Sequence, residues 1–298
     1  MNRGLHRLAV FTAAATFCLI VAGALVTSRE AGLSVPDWPL SYGSITPPWV
    51  GNIRYEHSHR VIAATVGLLT VCLAVWLRKR ERRGWVKRLG YLAVGAVVAQ
   101  GLLGGITVLF FLPTAISVSH ACLAQIFFCL AVTLALVTGE RWQQPALPLE
   151  DDGAPPLGQM TVLTSGAIFL QLVMGAALRH KGFGIVPHLV GATVVTVLVL
   201  WTIYRVFFRH SNLVTVTRPA AVMVLLLMAQ LLLGGASYLV REATREAPQP
   251  MPVMVYITVA HVAIGAATLA ASVWLLLEAN RALRPAPGRS TEQAAVTT

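Results

Sequence analysis

The sequence predicts an all-α membrane protein, with eight transmembrane helices arranged as two parallel-repeat four-helix bundles. Three observations predict it. Eight apolar runs each reach the length of about 20 residues that a helix needs to cross a bilayer. Charged residues make up only 12% of the 298 residues against 56% hydrophobic, whereas an average soluble chain carries about 25% charged residues; those few charges gather between the runs. A set of landmark residues also occurs twice in the same order.

The runs fall near residues 8–27, 58–77, 89–110, 115–137, 159–178, 186–208, 219–240 and 253–277. Backbone groups in lipid must be bonded within their own segment, so these runs are expected to be helices, and the lack of period-two alternation removes a β-barrel. The first run has a basic start and small residues at Ala22 and Ala24, as a cleaved signal peptide would. Its counterpart in the repeat is the fifth span, so it is expected to stay. No Arg/Ser-rich amphipathic leader precedes it, which points to a bacterial plasma membrane and not an organelle.

The net charge of +11 is a topology signal and not a nucleic-acid footprint. Sixteen of the 23 Lys and Arg residues lie on one side: Arg3, Arg7, seven in loop 78–88, Arg141, Arg205, Arg209, Arg218, Arg281, Arg284 and Arg289. By the positive-inside rule that side, with both termini, is cytoplasmic. The other side holds Arg29, Arg54, Arg60, Arg179, Lys181, Arg241 and Arg245. The four cysteines, Cys18, Cys72, Cys122 and Cys129, fall within spans without disulfide or zinc spacing and read as small packing residues.

The repeat is carried by named residues. Gly23-Ala24-Leu25 leads after nine residues to Gly32-Leu33, as Gly175-Ala176-Ala177 leads to Gly184-Ile185. Gln100 to Gly105 in span three matches Gln230 to Gly235 in span seven, and His59 and His120 are matched by His188 and His261. An even number of spans per half makes this a parallel repeat with its axis along the membrane normal. The expected organisation is an N-terminal half at 1–140 (the substrate site), a cytoplasmic linker at 141–158, a C-terminal half at 159–280 (the cofactor site) and a cytoplasmic tail at 281–298. The Pro-rich, acidic stretch around the linker reads as solvated. The Gly-Gly pairs read as packing glycines that also leave room for a flat ligand.

An ionisable or metal-binding residue inside a span is a functional hypothesis by default. A single histidine there is more often a helix–helix hydrogen bond, worth about 0.6 kcal/mol on average, but four at matching positions change the balance. Spans two, four, six and eight run the same way, so all four histidines are expected toward the outer face. One pair per half is what two axial ligands of a heme iron require. Zinc would need ligands beyond Glu56 that neither half supplies. Glu56 lies three residues before His59, on the same helix face, where a carboxylate can shuttle protons to a bound substrate; its plainer reading is a solvated charge at a helix start. Arg54, Arg60, Arg179, Lys181 and Arg241 are candidate heme propionate partners, with interfacial anchoring an equal alternative. His6, His57, His180 and His210 are weaker candidates, and His6 and His210 are expected to be solvated.

These residues resemble the heme A synthase family. The stretches that carry the resemblance are Gly23 to Thr27, Pro36-Asp37-Trp38-Pro39, Glu56-His57-Ser58-His59-Arg60, Gln100 to Thr107 and His120-Ala121, with His188 and His261 in the second half. The resemblance implies heme b as the cofactor at His188 and His261, and heme O as the substrate between His59 and His120. It makes Glu56 the functional glutamate of an oxidoreductase that converts a ring methyl of heme O to a formyl group by successive hydroxylations, with water supplying the oxygen. It also implies the farnesyltransferase that makes heme O as a partner; the apolar spans add membrane lipid, and an oligomer is left open by the sequence. Many bacterial relatives carry two cysteines in the first outer loop where this chain has Val35 and Ser41. The competing readings are a di-heme membrane electron-transfer cytochrome, which has no use for Glu56, and a transporter with a parallel repeat.

Overall fold

The computed structural model describes residues 2–182 and 184–286. Eight helices are long and apolar enough to cross a membrane: α1 (Arg3–Ser28), α2 (Ile53–Arg80), α3 (Gly84–Leu109), α4 (Thr114–Val137), α5 (Leu157–Arg179), α6 (Ile185–Arg209), α7 (Val214–Ala243) and α8 (Pro252–Ala282). All eight expected spans are present, and most run a few residues longer than their apolar part, because helical backbone continues into the polar flanks. Within the spans, hydroxyls bond back along their own helix, as Thr16 does to the Thr12 carbonyl and Thr70 to that of Val66. This satisfies polar groups where no water is available.

Each helix packs on its neighbours in sequence. In addition α1 touches α4 and α8, α5 touches α8, and α4 touches α5 and α8. The two largest apolar clusters lie toward one end of the helices. Leu5, Val66, Leu73, Leu77, Val86, Phe127 and Leu134 form one; Val195, Val199, Val206, Met223, Leu269 and Leu275 form the other. Val66 and Val195 come seven residues after His59 and His188, about 10 Å along a helix axis. The two largest clusters thus start below the histidines, and a smaller one of Ala24, Val255 and Val259 joins α1 to α8 at their level, among glycines and polar side chains. Around the outside, large apolar side chains are bare, among them Leu68, Leu225 and Leu232, a surface suited to lipid and foreign to soluble proteins.

The linker departs from expectation. Instead of a wholly solvated connection, it forms a short 3-10 helix (Glu140–Gln143) and a strand, β1 (Leu149–Asp151), that pairs in parallel with β2 (Leu283–Pro285) beyond α8. The expected tail therefore begins inside α8 and continues as a strand as far as Pro285; residues 287–298 lie outside the described residues. Asp151 is buried because its carboxylate accepts the backbone N–H groups of Leu157 (2.6 Å) and Gly153 (3.0 Å), which caps the start of α5. His210 is not solvated either: its ring lies 3.6 Å from the same carboxylate. His6 meets the Thr138 hydroxyl at 3.2 Å.

Packing, and not transfer from water, holds such helices together. Leu275 is 1% exposed and Leu232 is 70% exposed. Leu275→Ala should therefore cost about 2–5 kcal/mol of stability and Leu232→Ala no more than about 0.5 kcal/mol, as read from unfolding in detergent. Equal losses would contradict the placement of the core.

Candidate functional site

Each of the four span histidines rests on a glycine of the helix before it. A Cβ added to Gly23 on α1 would lie 3.1 Å from the His59 ring. At Gly104, Gly175 and Gly234 the same atom would lie 3.2 Å from His120, His188 and His261. Any side chain there would crowd the imidazole, so the glycine leaves room for the Cε1 corner of the ring.

Three of the four sites add a glutamine one turn before the glycine. The Gln100 side-chain amide donates to the His120 carbonyl at 3.0 Å, and that of Gln171 to the His188 carbonyl at 2.8 Å. Gln230 lies 3.3 Å from the His261 ring. Such bonds fix the turn that carries the histidine and so fix the ring. Leu19 stands at the corresponding place before Gly23. Gln171 escaped the reading of the sequence, although the spacing Gln-x3-Gly at 100–104, 171–175 and 230–234 was there to find it.

The His188 and His261 ring centres are 6.3 Å apart, with the planes at 73°. Two imidazoles on opposite faces of one iron, with metal–nitrogen bonds of about 2 Å and ring centres roughly 1 Å further out, have centres about 6 Å apart. The spacing fits a heme iron between them. His59 and His120 have the matching seats on Gly23 and Gly104. Ring nitrogens of His59, His120 and His261 are buried without a protein partner, the state of a donor kept for a ligand. Among the described residues no three His, Cys, Asp or Glu side chains converge on a point that would hold a metal ion, so the donor set comes in twos, as a heme requires and a zinc ion does not.

Glu56 is not the solvated helix-start charge of its plainer reading. It is 4% exposed, with one carboxylate oxygen 2.7 Å from the Arg60 guanidinium and the other accepting the Val35 N–H at 2.9 Å. Arg60 also donates to the carbonyls of Val35, Asp37 and Leu40, so its guanidinium is committed to the loop at residues 29–52. His57 is buried under that loop, its ring nitrogen 3.0 Å from the Ser41 hydroxyl. Val35 and Ser41, the positions aligned with cysteines in relatives, are both buried and tied to consecutive residues of α2. In the same loop, the backbone N–H groups of Gly43 and then Tyr42 hold the Asp37 carboxyl below its ordinary value.

The other basic candidates disperse. Arg179 is bonded to the Ser28 hydroxyl (2.6 Å) and reaches the Ala24 carbonyl (3.4 Å), joining α5 to α1. Burial, then the charge of Arg179, push the neighbouring His180 imidazole below its ordinary value. Arg54 lies over the Tyr55 ring at 4.9 Å, while Lys181 and Arg241 are exposed. Arg29 was not among the candidates, yet it lies between the rings of Tyr55 and Tyr256, 5.3 and 5.8 Å from their centres.

Adjacent glycines of α7 give a sharp test of the seats. A Cβ at Gly234 would press on His261, while one at Gly235 meets nothing within 4 Å. Gly234→Val should lower the bound heme of the purified protein several-fold. Gly235→Ala should leave it unchanged and stabilise the helix by up to about 1 kcal/mol. Equal heme content in both variants would remove the seat.

The COX15-CtaA family, described as cytochrome oxidase assembly protein, matches residues 6–53 and 51–187. A protein named heme A synthase from Symbiobacterium thermophilum is 31% identical over 272 residues, which cover 79% of this chain and 86% of that protein. Proteins of the same name from Bacillus licheniformis and Halalkalibacterium halodurans are 34% and 35% identical over 144 and 141 residues, and there the chain spans under half of their length. The glycine and histidine positions at 23, 59, 104, 120 and 175 all lie inside the family match. This multi-pass membrane protein belongs to the COX15-CtaA family of cytochrome oxidase assembly proteins.

Proposed function

We propose that this chain is a heme A synthase, an oxidoreductase that converts a ring methyl of heme O to the formyl group of heme A. The observation that carries the reading is the unequal pair of histidine sites. Both sites have two imidazoles seated on glycines, and among the described residues only the first has a buried carboxylate on the helix face of one ligand and a long loop fastened above it. Electron carriage alone needs neither.

In this reading residues 1–140 bind heme O through His59 and His120, and residues 159–280 hold heme b through His188 and His261. The arrangement is a twofold repeat of four helices, supported by the matching Gly–His contacts. Heme b supplies a route by which electrons leave the oxidised methyl. Water supplies the oxygen, and each methyl that becomes a formyl group releases four electrons and four protons. Glu56 is the basic group on the His59 face that accepts or relays such protons, and Arg60 and the Val35 N–H orient its two oxygens. His59 and His120 orient the substrate, and their glycine seats set the ring planes. Among the candidate propionate partners, Arg179 is best placed, bonded where α5 meets α1.

In this reading loop 78–88 and both termini face the cytoplasm of a bacterial-type plasma membrane, supported by the basic residues of that loop. Heme O then enters from a farnesyltransferase in the same bilayer. Reporter fusions at residue 84 and beyond α8 should both score as inside; an outside score at either would invert the depth assigned to all four histidines.

Glu56→Gln keeps size and hydrogen bonding but removes the basic site. The variant is expected to insert normally, to keep the C-terminal heme b, and to accumulate heme O or a hydroxylated intermediate, with formyl heme reduced by about 10²-fold or more, the usual worth of a positioned acid–base group. Chromatography of extracted hemes from cells carrying only this variant reads the outcome. Normal heme A would return Glu56 to a structural role. His188→Ala or His261→Ala should deplete the low-spin heme spectrum, and full heme content in both would overturn the assignment of the cofactor.

A further inference from the structure

We infer that the segment Val35–Ser41 is a fastened cap on the His59–His120 site, with Arg60 as its latch and Trp38 as its plug. The inference rests on the proposed function only for what lies beneath the cap; the cap itself is a matter of contacts.

Four contacts fix the segment at both ends and in the middle. Arg60, next to His59, gathers three loop carbonyls, those of Val35, Asp37 and Leu40, while paired to Glu56. The planar guanidinium suits this, since it offers five donors in a rigid fork where a lysine has one point charge. The Val35 N–H is held by Glu56 and the Ser41 hydroxyl by His57. Across the bundle the Trp38 indole lies on α3 against Gly105, where a Cβ would stand 2.8–3.0 Å from the ring. Gly104, the residue before it, is the seat of His120. The segment therefore crosses from the residue beside one histidine to the residue beside the other histidine's seat.

The inner side of the cap is buried, with Val35 at 0% exposure and Ser41 at 1% against Glu56 and His57, whereas Trp38 is 39% exposed. That combination belongs to a lid edge and not to a core. No disulfide holds it, so it opens by breaking the hydrogen bonds that Arg60, Glu56 and His57 make to it and lifting one indole from a glycine. Such a device admits a flat, bulky substrate and then excludes bulk water from the reacting carbon. Arg60 and Trp38 are accordingly positioning residues.

The test uses full-length protein in lipid vesicles carrying Val35→Cys, exposed to a water-soluble maleimide. The protein without that substitution serves as background for the four native cysteines, which lie within helices. Val35→Cys alone is expected to react slowly. Adding Trp38→Ala or Arg60→Gln should speed the reaction by on the order of tenfold or more, the signature of a local opening made easier. Trp38→Phe should preserve protection because a ring still fills the place on Gly105. Arg60→Lys should not, because one ammonium cannot reach the three carbonyls together; protection restored by lysine would mean that charge alone matters and would overturn the latch. Trp38→Ala lies outside the helices, so it keeps the test valid if the Arg60 variants fail to assemble. Labelling unaltered in Trp38→Ala overturns the cap. For the conversion of heme O, Trp38→Ala should raise KM several-fold with a smaller change in kcat. Wild-type protein that makes no heme A would remove the proposed reaction and leave the labelling result standing.

Discussion

The contact on which the rest depends is an imidazole whose Cε1 corner is seated on a glycine of the helix before it. It occurs at Gly23, Gly104, Gly175 and Gly234, and it demands that two helices approach more closely than any other residue allows. In a bilayer, where apolar side chains gain little by leaving lipid, close approach is itself a main source of helix association. The same contact that binds the helices therefore aims the ring. The two largest apolar clusters, beginning about two turns below, hold the helices together where no histidine is present, and a smaller one of Ala24, Val255 and Val259 packs α1 on α8 near the histidines.

The two ends of the molecule are built on different principles. Toward the clusters, charged groups stitch the segments together: Arg83 reaches Glu81 and the carbonyls of Val137 and Trp142, and Arg141 pairs with Glu278. At the histidine end the polar contacts gather on the loop at residues 29–52, with Arg179 on Ser28 and Arg29 near two tyrosine rings as links between helices far apart in sequence. Glu56 belongs to both the chemistry and the loop, which joins catalysis to closure through one side chain.

Much of this was legible in the sequence because lipid leaves few options. Runs of about 20 apolar residues become helices, and the four histidines stood out as polar groups in such runs. The glycines were legible as landmarks and not as seats, since a seat is defined by a partner on another helix. The burial of Glu56 was hidden for a similar reason: a helix-start carboxylate is normally wet, and only the fold of residues 29–52 takes it out of water. Arg60 looked like a propionate partner by charge and place, and its commitment to three carbonyls depends on a loop path that no spacing rule gives. The linker misled through composition, because its prolines and acids suggested solvent while Asp151 was needed inside, at the start of α5.

That last feature bears on how the chain is made. The strand Leu149–Asp151 is synthesised midway, yet its partner, Leu283–Pro285, follows the final helix. During translation the connection between α4 and α5 must wait, its edge unpaired, while four more helices enter the bilayer. The ribbon closes only when the last of them is in place and the residues behind it have left the ribosome. A mid-chain segment thereby registers the insertion of α8, because without α8 and Leu283–Pro285 in place the edge of Leu149–Asp151 stays unpaired.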